Sequence, residues 1–192
     1  MSRALLFLLL IFSSLVFSQK ANQSIEVKEY VLENGLTVML SENRESSNIY
    51  GVVGVKAGGK NDPKDATGIA HYLEHVLFKG TQELGTTDYE NEKVYLDSIS
   101  KLYENLSKTN LQEKRSSIQK EINRISIKAS QYAIPNELDK LLKQMGGLDV
   151  NAFTNEDYTA YYNSFPPNQI NRWLEIYSHR FQNPVFRLFQ SE

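Results

Sequence analysis

Two short apolar runs near the start of the chain are typical of β-strands. Residues 25–32 and 36–40 are rich in aliphatic and β-branched side chains, and they flank Asn34 and Gly35. An Asn-Gly pair between two such runs is a strong signal for a β-hairpin. In the second run every other residue is aliphatic, which predicts a strand that is buried on one face.

A third strand is predicted over Ile49 to Ala57, a valine-rich run that is followed by Gly58 and Gly59. Gly51 and Gly54 lie inside this run. A glycine inside a strand indicates a bulge or a place where another group approaches the backbone closely. We therefore expect one of these features at each of the two positions.

Between Asp88 and Gly146 the apolar residues recur at intervals of four and three, as on helices that pack against each other. They are Tyr95, Ile99, Leu102 and Leu106, then Ile118, Ile122, Ile125, Ala129 and Tyr132. The spacing predicts an antiparallel helical hairpin that turns near residues 107–110, where Thr109 or Asn110 can cap the second helix. We interpret it as a solvated insertion, with a binding arm as the alternative. Because its apolar positions can be buried between its own helices, we expect it to be separable from the chemistry, so that replacing Asp88 to Gln144 with a short Gly/Ser linker should preserve zinc binding.

The last third of the chain predicts two strands and a helix. Val150 to Phe153 and Tyr158 to Tyr162 read as strands joined by a short polar link. Asn168 is the expected cap of a following helix, which ends at Asn183-Pro184. Its apolar stripe consists of Ile170, Trp173, Leu174, Tyr177 and Phe181. Together these elements predict an α+β fold: one mixed, mainly antiparallel sheet with helices packed on one face, plus the inserted hairpin.

One further helix carries the candidate chemistry. Its apolar stripe is Ile69, Tyr72, Leu73, Val76 and Leu77. Thr67 suits its N-cap and Gly80 its C-terminal stop. Because residues three and four apart share a helix face, His71, Glu74 and His75 project together, away from that stripe.

Two imidazoles and a carboxylate at this spacing are suited to zinc-assisted hydrolysis. Zinc binds neutral imidazole nitrogens, so His71 and His75 can ligate one ion. Glu74 can then act as general base on a water whose pKa the metal lowers toward about 7. A lone histidine is usually a hydrogen-bonded core or surface residue, but the whole chain holds only 3 histidines. A chance His-x-x-Glu-His is therefore rare.

The stretch Gly68 to Thr81 resembles the inverted zinc-binding motif of the M16 metalloproteases, the family of pitrilysin, insulysin and mitochondrial processing peptidase. The segment Gly146 to Thr154 and the strand after it also resemble that family. The resemblance implies a zinc-dependent endopeptidase acting on extended or unfolded peptides. It implies that Asn151, Ala152 and Phe153 form a strand that binds substrate through main-chain hydrogen bonds; an ordinary sheet strand is the alternative.

The resemblance also implies an incomplete domain. Catalytic zinc normally has three protein ligands, and matching the family's segments places the third ligand beyond Glu192, which itself falls at an earlier, supporting position. Residues 25–192 then form an N-terminal peptidase domain, with the hairpin inserted at about 88–146. Further related domains or a partner subunit would complete a clamshell around the peptide. The alternatives are a non-catalytic scaffold or partner subunit, which usually loses one motif residue, and a structural zinc site, which usually has four ligands.

The N-terminus predicts that the protein is exported from the cytoplasm. Met1 to Ser18 has one arginine, a short apolar core and small residues suited to cleavage after Ser18, as in a signal peptide. An uncleaved anchor is the alternative. The signal-peptide-like start fits a periplasmic or secreted location best. With 0 Cys there are no disulfides, so stability comes from packing. The net charge of -2 gives no reason to expect nucleic acid.

Overall fold

The computed structural model describes residues 25–191 and confirms the predicted α+β fold. The strands are β1 (Lys28–Val31), β2 (Thr37–Leu40), β3 (Ile49–Val55), β4 (Leu148–Thr154) and β5 (Thr159–Phe165). The helices are α1 (Ile69–Val76), α2 (Tyr89–Ser107), α3 (Gln112–Ala129), α4 (Glu137–Gln144) and α5 (Ile170–Gln182). The chain divides into two units between Ser46 and Ser47.

The first unit contains the predicted hairpin. β1 and β2 pair antiparallel, and Gly35 takes a left-handed φ of 84° in the turn, a conformation that glycine adopts without strain. The predicted half-burial of β2 is wrong, because Leu36 and Leu40 are 53% and 54% exposed. A strand buries one face only against a second layer, and residues 25–46 provide none within this unit.

The second unit is built on a three-stranded antiparallel sheet in the order β3-β5-β4. The expectation of one sheet from all five strands is therefore wrong, since β1 and β2 form their own ribbon. β5 is central and is buried at five of its seven positions. β4 lies at an edge and, within residues 47–191, pairs with β5 alone.

Helices α1 and α5 pack on the same face of this sheet, as predicted. The main core joins the end of α1 and the middle of α5 to β4 and β5. Its members include Leu77, Trp173, Ile176, Tyr177, Ala152, Tyr161 and Phe165. The predicted close approach is confirmed at Gly51, where a Cβ would lie 2.6 Å from the Trp173 ring. It is wrong at Gly54, where no described atom lies within 4 Å of such a Cβ.

Helices α2 and α3 form the predicted antiparallel hairpin with a core of its own. The residues buried there are Ile99, Leu106, Ile122 and Ala129, all of them predicted heptad positions. The predicted cap of the second helix is wrong: Leu111 holds the N-cap position and no side chain caps the helix. Instead Arg115 stabilises the turn by donating hydrogen bonds to the carbonyl oxygens of Leu106 at 2.8 Å and Thr109 at 2.9 Å.

A buried ion pair joins the hairpin to the rest of the fold, and the expectation that the hairpin is separable from the chemistry stays a prediction. Glu92, in the first turn of α2, forms a fully buried ion pair with Arg187, which follows α5. The same predicted range also contains α4, a helix that periodicity did not reveal, whose Leu138 and Leu142 lie in the main core. Removing Asp88 to Gln144 would therefore open the main core.

Helix α5 ends at Gln182 with Asn183 as its C-cap, as predicted. Its start differs, since Asn168 lies in a short 3-10 turn and Gln169 holds the N-cap position. No helix within residues 25–191 is long and apolar enough to cross a membrane. The predicted signal peptide and its cleavage site lie outside the described residues, as does Glu192.

Candidate metal centre

Helix α1, which carries His71, Glu74 and His75, is capped by a side chain six residues before its N-cap. Gly68, with a φ of 88°, holds the N-cap position in place of the predicted Thr67. The carboxylate of Asp62 accepts hydrogen bonds from the N–H groups of Gly68 at 2.6 Å and Ala70 at 2.9 Å. The first N–H groups of a helix lack intrahelical partners and favour a negative charge. Asp62 therefore fixes where α1 begins.

The other end of α1 is fixed by glycine and by α5. Tighter turns continue from Val76 to Lys79, and Gly80, with a φ of 104°, ends them as predicted. The backbone carbonyl of Leu77 accepts a 3.0 Å hydrogen bond from Nε of Arg180. Both ends of the metal helix are thus held by side chains that come from elsewhere in the chain.

His71 and His75 converge on one point at the surface. Their Nε2 atoms lie 3.2 Å apart, and both residues are exposed. Two nitrogens that each lie about 2.0–2.1 Å from one tetrahedral zinc ion are separated by about 3.3 Å. The pair therefore fits a shared metal ion.

Glu74 faces the protein rather than solvent. It is only 8% exposed, and its Oε2 accepts a 2.6 Å hydrogen bond from the hydroxyl of Thr154 at the end of β4. That hydroxyl also lies 3.2 Å from the hydroxyl of Thr159, which donates to the carbonyl oxygen of Ala57. The Thr154 hydroxyl thus holds the Glu74 carboxylate against the end of β4. Within residues 25–191 no group of three or more acidic, histidine or cysteine side chains is placed to hold a metal.

The apolar stripe of α1 is only partly core. Val76 and Leu77 are 3% and 7% exposed, whereas Ile69, Tyr72 and Leu73 are 38–49% exposed. These three residues line a groove whose other wall includes Leu96 and Tyr103 of α2. The periodicity predicted which face of the helix is apolar, but it did not predict how much of that face is covered.

The predicted substrate strand lies on β4. Ala152 points into the core at 8% exposed, while Asn151 is exposed and Phe153 is 40% exposed. Oδ1 of Asn151 accepts a 2.9 Å hydrogen bond from the N–H of Ala152. An irregularity between Leu148 and Asn151 interrupts the pairing with β5.

Sequence reasoning missed three residues that support the site: Asp62, Thr154 and Arg180. Asp62 lies six residues before Gly68, too far for a local capping pattern. Thr154 belongs to the segment that resembles the family, but nothing in its spacing assigned it to Glu74. Arg180 is adjacent to the predicted stripe of α5, where a charged residue reads as solvated; it is 1% exposed.

Comparison with known proteins gives a family match over most of the chain. Residues 37–96 and 122–191 match the model described as Insulinase (Peptidase family M16). The unmatched residues between these two segments form the distal parts of α2 and α3. The match is thus interrupted within the hairpin, and the insertion predicted at about 88–146 stays a prediction.

Individual relatives carry peptidase names. The chain is 22% identical to the zinc protease YmxG of Bacillus subtilis over 83% of its length and 27% of that protein. It is 36% identical to the insulin-degrading enzyme of Drosophila melanogaster over 36% of its length and 6% of that protein. The crystal structure of the first half of the periplasmic protease PqqL from Escherichia coli matches 84% of this chain and 25% of that one, with a TM-score of 0.54 and 18% identity. The chain thus spans about a quarter or less of each of these proteins.

Proposed function

Because the chain belongs to the insulinase family of peptidases, family M16, we propose that it carries the metal-binding motif of a zinc-dependent endopeptidase. The bonds hydrolysed are peptide bonds of extended or unfolded peptides. The observation that carries the proposal is the 3.2 Å separation of the His71 and His75 Nε2 atoms beside a buried carboxylate. The names of the relatives support a peptidase in general.

His71 and His75 would hold the zinc ion. When bound, zinc polarises the scissile carbonyl and lowers the pKa of a water toward about 7. Glu74 accepts a proton from the attacking water and delivers it to the departing amine, so the peptide nitrogen leaves as a neutral amine. Thr154 holds Oε2 of Glu74, which keeps the carboxylate oriented for both transfers.

The third metal ligand is proposed to lie beyond Glu192, since catalytic zinc normally has three protein ligands. A zinc titration of residues 19–192 against a version extended by about thirty residues, roughly eight helical turns, tests this. Weak binding that the extension strengthens supports the proposal. Equal, tight binding in both would contradict it.

The edge strand β4 is proposed to bind the substrate beside Asn151, Ala152 and Phe153. Its edge position supports this, because an extended peptide can add there as a further strand. The peptide must displace Asn151 Oδ1 from the N–H of Ala152. Two substrates are compared, one N-methylated at the odd-numbered amides and one at the even-numbered amides. The KM should rise for one of them only, because alternate amides of an added strand face β4. If the KM is unchanged for both, strand addition is wrong.

The whole protein is proposed to close around its peptide substrate and to be exported. Further related domains or a partner subunit would close over the peptide, and export through the signal peptide Met1 to Ser18 would place the protein in the periplasm or outside the cell. Intact-mass analysis of the exported protein checks the second point: a mature chain starting at Gln19 is expected, and a retained Met1 would contradict cleavage.

The central experiment measures hydrolysis of a fluorogenic peptide by the full-length protein. A chelator should abolish turnover and zinc should restore it. Glu74→Gln should lower kcat by about 10²-fold or more while the protein still binds zinc. Glu156→Gln, an exposed carboxylate in the β4–β5 turn, is the matched control and should keep wild-type turnover. A chelator-insensitive enzyme, or wild-type turnover in Glu74→Gln, would contradict the mechanism.

A further inference from the structure

A buried arginine on α5 holds the end of the metal helix. Arg180 is 1% exposed, and its Nε donates a hydrogen bond to the carbonyl oxygen of Leu77. Its guanidinium carbon lies 4.2 Å from the ring centroid of Phe78 and 4.3 Å from that of Tyr161. The side chain is therefore clamped between the turn that follows α1 and the central strand β5.

The polar contacts of Arg180 do not account for its burial. Nη1 and Nη2 are buried and have no hydrogen-bond partner among the described residues. A buried, incompletely bonded charge is costly. Burial lowers the pKa of Arg180, while the nearby Tyr177, Tyr161 and Glu74 oppose that shift. The guanidinium stays charged, because arginine is not deprotonated in proteins.

A second buried arginine in the same fold, Arg187, has a full set of polar partners. It is also buried, at 2% exposed, but it forms an ion pair with Glu92. It also donates to the backbone oxygens of Lys79, Thr81 and Leu84. Hydrogen bonds and the ion pair therefore offset the cost of burying the Arg187 charge. Arg180 donates one hydrogen bond and is held mainly by aromatic faces and the end of a helix, both of which favour a cation.

We propose that Arg180 is a positioning residue: its buried cation fixes the turn that follows α1 against β5 and so sets the Glu74 carboxylate relative to the His71–His75 pair. Leu77 and Phe78, which it contacts, follow Glu74 by three and four residues, which is one helical turn. The inference rests on the proposed peptidase function for its kinetic consequence, but not for the contact itself.

The test removes the guanidinium and then supplies it from solution. In the full-length protein, Arg180→Ala leaves a slot between Phe78 and Tyr161. Because a small displacement of a catalytic group can cost about 10²-fold, kcat should fall by roughly 10- to 100-fold, with KM and zinc affinity near wild type. Guanidinium, far below denaturing concentrations, should restore much of the lost kcat. Urea, a neutral molecule of nearly the same shape, should not.

Controls separate position from packing. The wild type is titrated with both compounds in parallel and should gain no turnover from guanidinium, because Arg180 already fills the slot. Unchanged kcat in folded Arg180→Ala, or equal rescue by urea, would overturn the proposal. If Arg180→Ala does not fold, Arg180→Met is measured instead: lowered kcat with wild-type KM supports the proposal, and wild-type kcat overturns it.

A measurement without substrate separates this inference from the proposed function. Amide hydrogen exchange at Phe78 and Lys79 should be faster in Arg180→Ala and slowed again by guanidinium but not by urea. If the wild type hydrolyses no peptide, the proposed function fails while this exchange still tests the clamp. Unchanged exchange at both amides would overturn the clamp.

Discussion

The hydroxyl of Thr154 donates a 2.6 Å hydrogen bond to Oε2 of Glu74, a residue 80 positions earlier in the chain. This bond joins the edge strand β4 to the metal helix α1. The proposed general base and the proposed substrate strand are therefore fixed to each other, so that a peptide aligned on β4 is also aligned with Glu74.

Thr154→Val should impair turnover while leaving the metal bound. Valine has almost the same shape but cannot donate a hydrogen bond. We expect kcat/KM to fall about tenfold, equivalent to about 1.4 kcal/mol, with unchanged zinc affinity by titration. Thr159→Val is the matched control, since it removes the bond to Ala57 but keeps the donor to Glu74. An equal loss in both variants would show that the bond has no special role.

Asp62→Asn should destabilise the start of α1. The two carboxylate oxygens each accept from one N–H group near the helix start. An amide has a single acceptor oxygen, so one capping hydrogen bond is lost, at a cost of about 1 kcal/mol. Urea unfolding monitored by circular dichroism measures the loss. Asp65→Asn, an exposed carboxylate in the same loop, should leave the midpoint unchanged; a similar loss at both positions would point to net charge rather than capping.

Glu92→Gln should unfold the protein at a distinctly lower urea concentration. It leaves Arg187 without its buried counter-charge, and removing one partner of a buried pair costs about 3–5 kcal/mol. Arg187→Met should cost more, because three backbone carbonyls also lose their donor. The exposed pair of Arg124 and Glu121 provides the control: Arg124→Gln should leave the midpoint unchanged. A midpoint for Glu92→Gln equal to that of the wild type would mean that the ion pair does not stabilise the attachment of the α2–α3 hairpin to the rest of the fold.

Stability should fall in alkaline solution because of buried tyrosines. Burial raises the pKa of Tyr161 from 10.0 to about 12, and it also raises the pKa of Tyr177. A raised folded-state pKa favours the neutral phenol, so the stabilisation is complete below about pH 10 and is lost as the pH rises to about 12. Urea midpoints measured across this window should fall less steeply in Tyr161→Phe than in the wild type. Identical slopes would show that Tyr161 ionises as readily in the folded state as in the unfolded state.

The sequence by itself determined the local elements that support the site. A period of 3.6 residues identified α1, and the i, i+4 spacing alone placed His71 and His75 on one face, because both features depend only on helix geometry. The heptads likewise specified how α2 pairs with α3. The turn at Gly35 followed from its left-handed conformation, which is a local property of glycine.

Only the tertiary structure decided how those elements are held. Asp62, Thr154 and Arg180 each act on α1 from a different part of the chain, at separations that carry no periodic signal. The same is true of Glu92 and Arg187, whose charges read as solvated along the sequence but are buried together in the fold. Hydrogen bonds and ion pairs between distant residues depend on the path of the chain. The spacing therefore identified the helix face proposed to bind metal, whereas packing decided how Glu74 is oriented.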